Sequence, residues 1–124
     1  MLDEKRTKEA ESNVRQYIQD NLLKKQTNDT AKARYIENAD LSLETTKRLF
    51  ALESKDYHPY LWVIVPSYYS MYYIANAVLL KLGYKVGDKV SHKVTADAII
   101  VFVRNKINNP STFSLSLHQP SPFF

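Results

Sequence analysis

The sequence predicts an all-α protein, an up-and-down bundle of four helices or five, and three observations support this class. The 124 residues include only two glycines, too few for the many tight turns of a β-sandwich. Over long stretches, apolar residues recur at three- and four-residue intervals between charged ones, as on amphipathic helices. The hydrophobic fraction of 44% is that of a globular protein, and the length suits one domain.

Composition also excludes several kinds of site. With two glycines, neither a phosphate-binding P-loop nor a dinucleotide-binding loop can be formed. Cysteine is absent, which rules out disulfides, thiolate metal sites and cysteine nucleophiles. The first residues are densely charged, unlike a secretory signal, so we expect a cytoplasmic protein.

The first two helices are predicted from apolar side chains at helical intervals. The first is expected over residues 3–26, followed by a polar break. The second is expected to begin with Asp29 or Thr30 as N-cap and to run to about Ser54.

The third helix is predicted in a run without charges, residues 59–80. Such a run is long enough to span a membrane, but Tyr68, Tyr69, Tyr72 and Tyr73 lie in its middle and not at its ends, where interfacial aromatic residues sit. We therefore expect no membrane partner and a buried central helix of the bundle. Pro66 should kink this helix or mark its start, and Gly83 should close it.

The fourth helix is predicted over residues 92–107, after a lysine-rich loop over residues 84–90 and a cap by Ser91. The domain is expected to cover residues 1–107. Residues 108–124 contain no Asp, Glu, Lys or Arg and are predicted to be an irregular C-terminal tail.

Positive charge is concentrated in one region. Residues 81–106 carry six basic and two acidic side chains, whereas the charges of the first two helices nearly balance. Such a region can attract phosphate or an acidic partner, although a simply solvated face has the same composition.

A motif in the third helix resembles the HEPN domain family of prokaryotes. It reads Ser-Tyr-Tyr-Ser-Met-Tyr-Tyr over residues 67–73, followed by a leucine pair, Gly83 and the step Ser91-His92. The resemblance implies a helical bundle that is commonly dimeric. It also implies pairing with a nucleotidyltransferase in a toxin–antitoxin system, and many members cleave RNA. The usual nuclease motif, Arg followed by His after four to six residues, is absent.

Candidate site residues follow from the residue chemistry of RNA cleavage and anion binding. His92 is the candidate base and Arg104 the candidate cation for metal-independent cleavage. His92 could equally be a helix-start residue bonded to its own loop, and the tyrosines could be core or dimer interface. No helical spacing of metal ligands is present, so neither a metal nor a cofactor is expected. The candidate ligand-binding residues are Lys89, Ser91, Lys93, Tyr68 and Tyr72.

Three functions remain open from the sequence. The first is a homodimeric HEPN-like module that binds nucleotide, RNA or a protein partner such as a nucleotidyltransferase-family protein. The second is an active metal-independent ribonuclease. The third is an oligomerisation protein without a ligand.

Overall fold

A computed structural model describes residues 3–104 of the chain. This part is mostly helical, with one small sheet, so the predicted all-α class is confirmed. The helices are α1 (Glu4–Gln19), α2 (Asp29–Ala51), α3 (Tyr60–Lys81) and α4 (Ser91–Ala98), and a π-helix (Ile99–Arg104) continues α4. The two strands are β1 (Leu23–Lys25) and β2 (Tyr84–Val86).

Helix α1 is shorter than predicted. Its start is capped by Asp3, whose side chain accepts a 2.7 Å hydrogen bond from the Arg6 backbone N–H. It ends at Gln19 instead of residue 26, because Asn21 adopts a left-handed conformation with φ of 59°. Asparagine tolerates this conformation better than most residues, and the chain then turns into β1.

The two strands form an antiparallel ribbon that the sequence did not predict. Leu23 pairs with Val86, and Lys24 pairs with Lys85. Leu23 and Val86 are buried and face the core, whereas the two lysines share the other face. The prediction of a loop over residues 84–90 is therefore wrong for its first three residues.

Helices α2 and α3 form a long hairpin, in which α3 is the main packing partner of α2. Asn28, and not Asp29 or Thr30, caps α2 by accepting a 2.9 Å hydrogen bond from a backbone N–H. A 3.0 Å bond from the Ser70 hydroxyl to the Ala39 carbonyl joins the two helices.

The ends of α3 and α4 follow the predictions only in part. Helix α3 begins at Tyr60 and passes through Pro66, which is not its start. Gly83, with φ of 95°, follows the end of α3 as predicted. The prediction that Ser91 caps α4 is wrong. Ser91 already lies in the first turn, and the capping position is held by Val90 in a left-handed conformation with φ of 44°.

The core lies where α1, α4 and the C-terminal half of α3 meet. Helices α3 and α4 run in the same direction, because contacts advance together along both, from Tyr72–His92 to Asn76–Thr95. We call residues 72–81 the covered half of α3. The main cluster of buried side chains comprises Val14, Tyr17, Leu23, Leu79, Val86, Val94 and Ala98.

The N-terminal half of α3, residues 60–71, has α2 on one side and is otherwise largely exposed; we call it the open half. Leu61, Trp62 and Ile64 are 64%, 61% and 63% exposed. The prediction of a buried central helix is therefore correct only for the covered half. By length and composition α3 is able to cross a membrane, and 22% of its most apolar window is buried.

The predicted end of the last helix at residue 107 and the tail over residues 108–124 lie outside the described residues. The predicted domain boundary between them stays a prediction.

Candidate functional site

Three of the predicted site residues meet where α4 begins beside α3. The Tyr68 hydroxyl lies 2.8 Å from His92 Nδ1, and the Tyr72 ring centroid lies 4.2 Å from that of His92. Tyr69 also contacts the imidazole edge-on, at 6.0 Å between centroids. We call Tyr68, Tyr69, Tyr72 and His92 the tyrosine–histidine cluster. It forms because the tyrosines stand one, three and four positions apart and so share neighbouring faces of α3.

The hydrogen bond and ring contacts of the cluster fix the position of the His92 imidazole, and its tautomer decides whether it could act as a base. When the Tyr68 hydroxyl donates to Nδ1, the proton of a neutral His92 sits on Nε2. In that arrangement neither nitrogen has a free lone pair with which to accept a proton from a substrate. In the other tautomer Nδ1–H donates to the Tyr68 oxygen, and the lone pair of Nε2 is free.

Arg104, the other predicted catalytic residue, lies at the far end of the same helical segment. Twelve residues separate it from His92, which corresponds to about 18 Å along a helix. Side chains so spaced do not converge on one phosphate group. The geometry therefore gives no support to a catalytic pair of these two residues.

The predicted lysines and Ser91 do not all join the cluster. Lys89 lines a pocket of about 500 Å³ beside the β-ribbon, together with Lys24 and Lys85. Lys93 is exposed on the first turn of α4, and Ser91 is half-buried there. The candidate ligand residues thus divide between the tyrosine–histidine cluster, the ribbon pocket and the start of α4.

Sequence reasoning missed a buried ionic network between α1 and α4. Asp97 is 0% exposed, and its Oδ1 lies 2.7 Å from Arg6 Nη2. Its Oδ2 accepts hydrogen bonds from the Tyr17 hydroxyl at 2.7 Å and from the Asn13 amide at 3.3 Å. A buried carboxylate needs such partners, because burial without them carries a large desolvation penalty.

The network changes the protonation chemistry of its members. Burial, together with the hydrogen bond to Asp97, raises the pKa of Tyr17 to about 12. The hydrogen bond with Asp97 also raises the pKa of the Arg6 guanidinium. A signal for this site was present in the sequence, since Asp97 is the one charge in the apolar segment 94–103. The network joins α1 to α4 and stabilises their packing.

Two further features bear on binding. A shallow groove of about 330 Å³ runs between α2 and α3 and includes Leu41, Val65 and Tyr69. Among residues 3–104, no group of three or more His, Asp or Glu side chains is placed to hold a metal ion.

Comparison with known proteins adds no assignment: no family model, no curated protein and no solved structure matches the chain. Membership of the HEPN family therefore stays a prediction from the motif in α3.

Proposed function

We propose that the protein is a helical interaction module that pairs with a second copy of itself through the open half of α3. One observation carries this proposal: a face of α3 with no charged side chain is left largely exposed beside a well-packed core.

The open half of α3 exposes a large apolar surface. Leu61, Trp62, Ile64 and Met71 are each more than 60% exposed within a span of eleven residues. Together with their neighbours they present on the order of several hundred Å² of apolar surface, the size of patch that marks interaction sites. Burying such surface is favourable by about 25 cal/mol per Å².

The position of the face on α3 supports a helix as its partner. Leu61, Ile64 and Tyr68 lie three and four positions apart, which gives a stripe along one side of α3. Further along the same helix, Tyr72 and Asn76 contact α4. A partner helix on the open half would take the place that α4 takes on the covered half.

A second copy suits this face because residues 59–80 contain no charge. Two such stripes can pair about a two-fold axis without burying an unpaired ion, and each copy then presents the same residues to the other. An antiparallel pair centred near Ile64 brings Leu61 of each copy towards Tyr68 of the other. Tyrosine hydroxyls at the edges of such an interface can stay in water.

A lipid bilayer is the main competing occupant of this face. The other side of α3 packs along α2, which carries Glu44, Lys47 and Arg48. Inserting α3 in its observed packing would bring these charges towards the hydrocarbon, at a cost of several kcal/mol. A protein partner avoids this cost.

The resemblance to HEPN domains, which are commonly dimeric, supports pairing. A nucleotidyltransferase partner, a toxin–antitoxin setting and a cytoplasmic location remain predictions from the sequence. No observation on residues 3–104 favours the ribonuclease alternative, given the separation of His92 and Arg104.

The test is the mass of the purified chain in solution, measured by light scattering over a range of concentrations. We expect a dimer for the wild type and a folded monomer for Ile64→Glu, because the new carboxylate would be buried without a partner. Ile18→Glu, on α1, is the matched control and should stay dimeric. A monomeric wild type, or an Ile64→Glu dimer, would refute the proposal. Co-flotation of the wild type with lipid vesicles, lost in Ile64→Glu, would assign the face to a membrane instead.

A further inference from the structure

The pocket beside the β-ribbon has the features of an anion site. It has a volume of about 500 Å³, within the range of small-molecule sites. Three lysines line it, and they come from three places: β1, β2 and the turn before α4. The lining residues are Asp20, Asn21, Leu22, Lys24, Gln26, Lys85, Val86, Gly87, Asp88 and Lys89.

Lys24 and Lys85 are the central observation. They are direct partners in the antiparallel ribbon, so their side chains share one face and their charges repel each other. Within residues 3–104, neither lysine forms an ion pair, although Asp20 and Asp88 line the same pocket. A pairing that costs stability and has no ionic partner within residues 3–104 is explained by an anionic ligand that binds both lysines.

The rest of the pocket suits a ligand that carries an organic group in addition to phosphate. Leu22 supplies apolar surface, and the side-chain amides of Asn21 and Gln26 can each donate and accept hydrogen bonds. Asn21 is also one of two non-glycine residues in 3–104 with positive φ, a conformation that clusters at functional sites.

We propose that the ribbon pocket binds a small phosphate ester of the nucleoside di- or triphosphate class, with Lys24, Lys85 and Lys89 on its phosphates. The lysines converge on one cavity, which suits a compact ligand. An RNA strand instead needs a groove that follows its backbone. This site is separate from the open half of α3 and does not depend on dimerisation.

The experiment is calorimetric titration of the full chain with ATP at low ionic strength, where surface charges are least screened. We expect binding by the wild type, about tenfold weaker binding for Lys24→Ala or Lys85→Ala, and a larger loss for the double variant. Lys25→Ala is the matched control: it removes the same charge from the same strand, but from the opposite face, and should bind within about twofold of the wild type.

Two further measurements test which part of the ligand is recognised and whether the site depends on the α3 interface. Tripolyphosphate should compete with ATP and adenosine should not, because the lysines recognise the phosphates. Ile64→Glu should keep its ATP affinity, which separates failure of this site from failure of the interface on α3.

Thermal melting followed by circular dichroism distinguishes ligand binding by the lysines from a purely structural role, in which their removal would lower the melting temperature. The melting temperature of ligand-free Lys85→Ala should equal or exceed that of the wild type, because a repulsion is removed. No ATP binding by the wild type, equal weakening by Lys25→Ala, or tighter binding of an RNA oligomer than of ATP would overturn the proposal.

Discussion

The two halves of α3 have similar composition and opposite surroundings. The covered half, residues 72–81, packs against α4 and the core, and Leu79 is fully buried there. The open half, residues 60–71, is at least as rich in large apolar side chains, yet Leu61 is 64% exposed. The difference shows that burial is decided by which neighbours reach a helix, and that hydrophobicity alone does not decide it. In this protein α4 begins at the level of Tyr68 and Tyr72, so most of the open half has only α2 as a neighbour.

Breaking the anchor of the covered half should have the largest effect. Asp97→Ala removes the carboxylate that joins α4 to α1 and leaves Arg6 and Tyr17 without their buried partner. We expect a loss of about 3–5 kcal/mol in the free energy of unfolding, measured by urea denaturation. Asp40→Ala, on the exposed side of α2, should change it by less than about 0.5 kcal/mol. Equal stability of the two variants would contradict the role given to Asp97.

The same substitution in the two halves of α3 compares them directly. Leu79→Ala should lower the free energy of unfolding by about 2–5 kcal/mol, because it leaves a cavity in the core. Leu61→Ala should change it by less than about 0.5 kcal/mol, because the side chain is mostly in water. Both variants are made in the Ile64→Glu background, so that dimer dissociation does not contribute to the unfolding curves. Similar losses at the two positions would show that the open half is covered within the monomer.

Tyr17→Phe tests the hydrogen bond that anchors α1 to α4. Removing a hydrogen bond to a charged carboxylate should cost about 1.5–3 kcal/mol at neutral pH. The pKa of Tyr17 is raised to about 12 in the folded protein, against about 10 when unfolded. The stabilisation by the neutral phenol is therefore complete below pH 10 and lost as the pH rises through 12.

The stability difference between wild type and Tyr17→Phe should accordingly shrink between pH 10 and pH 12. Other groups that titrate in this range are present in both proteins and cancel in the difference. Urea denaturation at several pH values measures it, and a difference that stays constant would contradict the raised pKa.

A smaller effect is expected where α4 begins. Val90 is a β-branched residue in a left-handed conformation, which costs about 1–2 kcal/mol. Val90→Gly relieves this strain but adds flexibility to the unfolded chain, so we expect a net gain of about 0.5–1 kcal/mol in thermal or urea denaturation. Val90→Ala keeps a Cβ atom and should not give the same gain. A loss of stability in Val90→Gly would show that the valine contributes contacts that outweigh its strain.

The fold class was predicted well because helix formation depends on residues close together in the sequence, and the apolar periodicity and the scarcity of glycine report on them directly. The polar break before α2 and the closing role of Gly83 were predicted for the same reason. The ribbon was not, because β1 and β2 are three residues each and gain their stability from pairing across 61 positions of the chain. A three-residue strand has no periodic signal to detect.

Prediction of the candidate site succeeded only for residues on α3 and at the start of α4. Tyr68, Tyr72 and His92 were named from the motif, and the fold brings them together. Lys24 could not be associated with Lys85 and Lys89, because that requires knowledge of the strand register. The exposure of the open half was also beyond prediction, since a charge-free run has the same pattern whether its neighbour is another part of the chain or another molecule.

Asp97 and its partners on α1 are far apart in the sequence, and this has a consequence for synthesis on the ribosome. The Tyr17–Asp97 hydrogen bond joins residues 80 positions apart, so α1 cannot be anchored until almost all of the described chain has left the exit tunnel. The contacts of the α2–α3 hairpin span fewer positions, 31 for the Ser70–Ala39 hydrogen bond, so the hairpin can form earlier. During this interval the nascent chain displays the whole apolar side of α3, including the part that α4 later covers, and chaperones have their main opportunity to bind it.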